Sequence, residues 1–186
     1  MSFYPVFLDM KDRRCLLVGT GRLIEEKAQA LQEAGAVVVR VEAFTEEAAD
    51  GCWLIVAASD DPAEMSRMKN YSERHRVPLN VIDQPDYCTF IAPAILRRED
   101  LVVAISTSGK CPALAARIRE ELAGRYGPEY STLLRLLGEL RPAIKARFSS
   151  FEERRDFYYR LLDLDLPARL RASGEQGLKE TARQLL

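Results

Sequence analysis

The stretch Cys15-Leu16-Leu17-Val18-Gly19-Thr20-Gly21-Arg22-Leu23-Ile24-Glu25-Glu26-Lys27 decides the fold, because a short apolar run breaks at Gly-x-Gly and continues as a helix-forming pattern. Gly19 permits a tight strand-to-helix turn, and Gly21 lets the backbone approach a pyrophosphate. The helix that follows offers unpaired N–H groups and a positive dipole end. Ile24 stands where the full fingerprint carries Gly or Ala for close helix-to-strand packing, so it is expected to crowd the cradle. On its own the motif reads equally as an ordinary Gly-containing βα turn. Residues 37–41, Val-Val-Val-Arg-Val, read as the second strand and run into Glu42, near the roughly 20-residue offset of a ribose-binding carboxylate. A solvated strand end is the other reading of Glu42.

Working outward, 186 residues suffice for one domain of about 100–150 residues with an appended piece. Charged residues make up 30% and the formal net charge is −1, so no global basic field points to nucleic acid or an anionic membrane. Cys15, Cys52, Cys88 and Cys111 are widely spaced without a Cys-x-x-Cys pair, and the lone His75 lies in a polar run. No metal site is expected, and reduced thiols in the cytoplasm are the better reading. Phe3 to Leu8 is too short for a signal peptide and is followed by Asp9, Lys11 and Asp12. No apolar run approaches the length of a membrane span.

Four apolar runs, residues 15–18, 37–41, 53–57 and 79–82, alternate with polar or helix-like segments, which is the signature of a parallel sheet. Ala28, Leu31 and Ala34 line one side of the first helix, with Gly35 as its stop. A helix over 62–76 follows Ser59-Asp60-Asp61, a good N-cap sequence. Only about ten residues separate Glu42 from Trp53, too few for a further helix and strand. A fifth strand, 101–105, leads into a helix opened by Pro112, on which Leu114, Ile118 and Leu122 form an apolar face. Beyond Gly127-Pro128 the chain reads as helices over 129–148, with a kink at Pro142, and 151–162, followed by a polar tail expected to fray.

Asp83, in Asn80-Val81-Ile82-Asp83-Gln84-Pro85, falls at the carboxyl end of a parallel strand, where open α/β sheets bind ligands. It is a candidate proton acceptor, or else a turn residue before Pro85. The loop Ser106-Thr107-Ser108-Gly109-Lys110 is not a Walker A motif, which would require Gly at Ala104 and Ser or Thr at Cys111. At a helix N-terminus it suits either a substrate carboxylate or simple capping. The basic residues Arg97, Arg98, Lys110, Arg117 and Arg119 suit an anionic ligand or a solvated face. His75 has no nucleophile motif beside it, which argues against a hydrolase triad.

In combination these segments resemble the precorrin-2 dehydrogenase family, which includes the amino-terminal module of siroheme synthase. The residues that carry the resemblance are Tyr4-Pro5-Val6-Phe7-Leu8, the turn Val18 to Gly21 with Lys27-Ala28, and the run Cys52 to Asp61. They continue with Asn80 to Asp83, then Phe90 to Ala94 with Ile105 to Ala115. The resemblance implies a Rossmann-like parallel sheet, here shortened by one helix and strand, then a small dimerisation segment and a helical carboxyl-terminal domain. The corresponding boundaries are 1–91, 92–126 and 127–186.

By the same resemblance the chain is a homodimer that oxidises precorrin-2 to sirohydrochlorin with NAD, and some family members also insert ferrous iron. NAD would bind Gly19, Gly21, Arg22 and Leu23, with Glu42 at the adenosine ribose. The family's catalytic aspartate falls on Asp83, while Asn80 and the Ser106, Thr107, Ser108, Gly109 and Lys110 loop would hold the tetrapyrrole. Two alternatives stay open. One is a tetrapyrrole-binding or metal-inserting member with a degenerate NAD site, and the other is a nucleotide-binding regulatory module without catalysis.

Overall fold

The structure, a computed structural model, describes residues 3–185. Two compact units emerge, the first running to Ala92 and including Ser108–Lys110, the second holding the remainder.

In the first unit the order is β1 (Arg14–Val18), α1 (Arg22–Glu33), β2 (Val37–Val41), α2 (Glu46–Ala49), β3 (Leu54–Ala57), α3 (Pro62–His75) and β4 (Leu79–Val81). The four strands form one sheet in the order β2-β1-β3-β4. Every neighbouring pair is parallel, with Val18 opposite Val41 on one side and Ala57 on the other. The two central strands are covered on both faces, which is why they read as continuous apolar runs. Alternate residues feed two core layers. Leu16, Val18, Ile55 and Ala57 pack with Met65 and Met68 of α3, whereas Cys15, Leu17, Leu54 and Val56 pack with Ile24 and Ala28 of α1. Each such fully buried aliphatic side chain contributes about 1.5–3 kcal/mol.

The β2-to-β3 connection, residues 42–53, crosses to the far side of β1 with only the single turn of α2, so the sheet is short by the expected helix and strand. Side-chain bonds hold this abbreviated connection. Thr45 Oγ1 caps α2 by accepting from the Ala48 N–H at 3.2 Å. The Phe44 N–H donates to Glu64 Oε1 at 2.7 Å, and Phe44 packs edge-on against Tyr71. Helix α3 starts at an Asp61 cap that accepts from the Ala63 N–H, carries Pro62 in its first turn, and ends at Arg76 in the left-handed region.

The second unit begins with β5 (Ala94–Arg98) and β6 (Leu101–Ile105), an antiparallel hairpin separate from the sheet. Here the sequence reading needs correcting, for it missed β5 and counted 101–105 as a fifth strand after the parallel four. The turn at Glu99, φ 51°, returns the chain at once, and so short a link joins only antiparallel strands. Helices α4 (Pro112–Arg125), α5 (Glu129–Arg147), α6 (Phe151–Leu162) and α7 (Leu166–Leu185) follow. Arg98 fastens the hairpin to α4, its Nε donating to the Tyr126 carbonyl at 3.1 Å and its Nη2 to that of Ala123 at 3.4 Å. Helix α5 runs through Pro142 without ending. Ser150 and Glu153 form a complete capping box at the start of α6.

The expected fraying tail is instead α7, broken at Gly174. Its Leu166, Leu178 and Ala182 are buried with Leu133, Leu136 and Ile144 of α5 and with Phe157 and Leu161 of α6. Ion pairs from Glu139 to Lys179 (2.9 Å) and Arg135 (2.7 Å), and from Arg171 to Glu129 (2.7 Å), run along the α5–α7 seam.

Candidate functional site

Because all four strands of the first unit run the same way, their carboxyl ends share one edge, which brings together Gly19, Glu42, the Ala58-Ser59 pair and Asp83. Gly19 has φ 93°, its N–H donates to the Val41 carbonyl at 2.9 Å, and any β-carbon there would run into the Ala58 carbonyl. The turn is therefore closed to every other residue type. Gly21 is the N-cap of α1, at φ 106° and ψ 171°, and its carbonyl accepts from the Glu25 N–H at 3.1 Å.

No side chain caps α1, and a β-carbon on Gly21 would meet nothing within 4 Å. An open approach to uncapped first-turn N–H groups fits a pyrophosphate. Arg22 is largely exposed and pairs with Glu26 at 3.0 Å, and Leu23 is 41% exposed. Ile24 does not face the cradle. It is 1% exposed and part of the α1-side core, so the position expected to crowd the ligand packs the helix onto the sheet instead. Glu42 is exposed directly after β2, while Arg40, two residues before it, is bonded to Glu25 of α1 at 2.6 Å.

Asp83 is exposed in a turn closed by the Gln84 N–H donating to the Val81 carbonyl at 3.1 Å. Its φ of 61° is left-handed, a conformation in which Asp and Asn are enriched. The structure thus shows the turn role of Asp83 and leaves its carboxylate open to solvent. Asn80 is 9% exposed, and its Nδ2 donates inward to the Phe90 carbonyl at 3.1 Å and to Cys88 Sγ at 3.5 Å.

In the second loop, Thr107 Oγ1 accepts from the N–H of Cys111, the residue before α4, at 3.1 Å, which ties the loop back on itself, and no side chain caps the helix. Ser108 and Gly109 follow with φ values of 54° and 78°, and Ser106, Ser108, Gly109 and Lys110 are exposed. Among the described residues no group of three or more His, Cys, Asp or Glu is arranged to hold a metal.

Two residues at this edge escaped the sequence reading. The Glu64 carboxylate is buried and joins two strand ends, receiving the Phe44 N–H on one oxygen and the Ser59 hydroxyl on the other at 2.5 Å. Its place three residues after the Asp61 cap is the capping-box position, which was a legible signal. The other is Cys88, whose Sγ lies within bonding distance of Val81 N, Val81 O and Gln84 O at 3.2–3.3 Å. Burial pushes its thiol pKa up. Cys15 is pushed up to about 11 by burial and then by the nearby Cys52, which is itself raised by burial. These three are therefore poor nucleophiles at neutral pH.

The sheet, its glycine turn and the acidic residues along its carboxyl edge define a Rossmann-like nucleotide-binding protein. Three family models follow one another along the chain. Residues 6–94 match "Putative NAD(P)-binding", residues 98–125 match "Sirohaem biosynthesis protein central", and residues 129–186 match "Sirohaem synthase dimerisation region". The chain belongs to the siroheme synthase family.

Siroheme synthases of Escherichia coli (strain UMN026) and Citrobacter koseri are each 35% identical over 208 residues, spanning 100% of this chain and 46% of theirs. The chain thus spans about half the length of the curated relatives it matches. Among solved structures, "SirC, precorrin-2 dehydrogenase" superposes with a TM-score of 0.73 at 23% identity, covering 98% of this chain and 100% of its own. The name "dimerisation region" falls on residues 129–186, whereas the sequence reading gave that role to residues 92–126. No described helix is long and apolar enough to cross a membrane.

Proposed function

We propose that this chain oxidises precorrin-2 to sirohydrochlorin with NAD as the hydride acceptor. The observation that carries the reading is that the open glycine cradle and Asp83 lie on one edge of one sheet, in a chain of this family. NAD supplies the hydride sink when bound. The chain's own residues do the rest. Uncapped N–H groups at the start of α1 hold the pyrophosphate beside Gly21, Arg22 and Leu23, and the Glu42 carboxylate receives the adenosine ribose hydroxyls. Loss of a hydride from the tetrapyrrole leaves a proton to remove, and the exposed Asp83 carboxylate accepts it. Ser108, Gly109 and Lys110 complete the substrate site in this reading.

The division 1–91, 92–126 and 127–186 belongs to the proposal, as do a homodimer and a cytoplasmic setting, the latter supported by four free cysteines. The dimer contact extends onto residues 129–186, supported by that segment's family match and by the exposed Phe151, Tyr159 and Leu162 of α6. The abbreviated β2-to-β3 connection favours one rival, a metal-inserting member that binds NAD weakly. Titrating NAD against the purified chain and then adding precorrin-2 separates the two. Saturable binding followed by sirohydrochlorin and NADH in equal amounts is expected. Metal insertion without NADH formation would replace this reading by the rival.

A further inference from the structure

The outer edge of β4 is closed without a strand. Leu79 and Val81 direct their backbone groups away from β3. The Leu79 N–H donates to Thr89 Oγ1 at 2.7 Å, and the Leu79 carbonyl accepts from the Thr89 N–H at 2.8 Å. One residue pair along, a side chain replaces the backbone partner. The Val81 N–H donates to Cys88 Sγ at 3.3 Å, and the thiol lies 3.2 Å from the Val81 carbonyl. The same sulfur is 3.3 Å from the Gln84 carbonyl, so it touches both ends of the four-residue turn whose third residue is Asp83. Asn80 Nδ2 holds the sulfur from the other side at 3.5 Å while anchoring the Phe90 carbonyl.

Asp83 needs such a support, since its left-handed backbone is costly for a residue with a β-carbon, and its own exposed side chain fixes nothing. We infer that Asn80 and Cys88 are positioning residues that set the aim of the Asp83 carboxylate, with Asn80 acting through Cys88 rather than on the substrate. This role rests on the proposed dehydrogenase reading and deepens it. The thiol suits the task because a raised pKa keeps it protonated, so that it donates to a carbonyl while accepting the Val81 N–H.

The test is steady-state precorrin-2 oxidation by the full chain, comparing wild type with Cys88→Ala, Cys88→Ser and Asn80→Ala, alongside amide exchange at Gln84. Cys88→Ala is expected to lower kcat about tenfold or more, the scale of a small misplacement of a reacting group. The KM for NAD should stay within about twofold, because the cradle at α1 is untouched. Faster exchange at Gln84 should accompany the loss, and Cys88→Ser, whose hydroxyl also donates and accepts, should recover most of kcat. Should Cys88→Ala fail to fold, Asn80→Ala, which removes both amide bonds and keeps the thiol, decides by the same split between kcat and KM. Wild-type kcat in the folded variants overturns the positioning role alone. A wild-type chain that makes no sirohydrochlorin overturns the dehydrogenase reading and this role together.

Discussion

The carbonyl oxygen of Ala58 occupies the space that a β-carbon on Gly19 would need. Gly21, two residues on, has a similarly positive φ but open space around it. The two glycines therefore answer different demands, one steric within the fold and one for the approach of a ligand. Gly19→Ala should destabilise the chain by about 2–4 kcal/mol, adding a backbone clash to φ strain. Gly21→Val should cost only the strain, about 1–2 kcal/mol, yet abolish NAD binding by filling the approach to the α1 N–H groups. Thermal melts paired with NAD titrations of both variants check this, and equal melting temperatures would contradict it.

Ile24 gives an opposite expectation from the one its motif position suggests. Replacing a residue that is 1% exposed in the α1-side core should leave a cavity, so Ile24→Ala should cost about 2–5 kcal/mol. NAD affinity of the folded fraction should not improve. Denaturant unfolding with and without NAD measures both quantities.

Asp83→Asn should remain folded, because Asn tolerates the left-handed φ of 61° and the supporting bonds of the turn are made by Val81, Gln84 and Cys88. An amide cannot accept a proton at neutral pH, so sirohydrochlorin formation should fall by about 100-fold or more while NAD affinity holds. Near-normal turnover in this variant would reduce Asp83 to a turn residue.

The four thiols should separate by reactivity in the folded chain. Cys111 is exposed, whereas Cys15 and Cys52 are buried and Cys88 is engaged with Val81 and Gln84. An aromatic disulfide reagent at pH 8 should titrate one thiol rapidly, and the other three should follow only on unfolding. Mass spectrometry after a short exposure identifies the site.

Acid should weaken the α5–α7 seam. Lys179 and Arg135 hold the Glu139 carboxyl below its ordinary range. A depressed folded-state pKa contributes stability above the unfolded value, and that contribution is lost as pH falls through the folded value. The window is therefore below about pH 4.5. The group is solvent-exposed, so the effect is small and salt-sensitive. Melting temperatures between about pH 5 and pH 3 should fall less for Glu139→Gln than for wild type, with the difference shrinking at high salt.

The parallel sheet was legible because buried central strands leave uninterrupted apolar runs, and β1, β2, β3 and β4 lie within a residue of their expected bounds. Its carboxyl edge followed at once, so Gly19, Glu42 and Asp83 could be placed on one side from strand order alone. Strand β5 was missed because Ala-Ile-Leu-Arg-Arg carries two arginines and buries only Leu96, which leaves no apolar run. Helix α7 was missed because its glycines and charges hide an apolar stripe that only packing on α5 and α6 reveals. Asn80 was assigned to the substrate, and the structure engages its Nδ2 with Phe90 and Cys88, partners the sequence did not reveal. Glu64 stood at a legible capping-box position that went unread, whereas nothing in the sequence marked Cys88. Its partners are the backbone groups of Val81 and Gln84, and backbone partners leave no trace in a string of side chains.

The closure of β4 by Cys88 and Thr89 leaves the sheet open to growth in one direction only. At this sheet, intermolecular strand addition, the first step toward insoluble polymers, has no free ladder on the β4 side and is left with β2. That strand is five residues long and keeps a guanidinium at Arg40 clamped to Glu25, a charge that discourages pairing. Arg40→Val, which removes that charge, is the substitution expected to make this margin of the sheet prone to pairing between molecules.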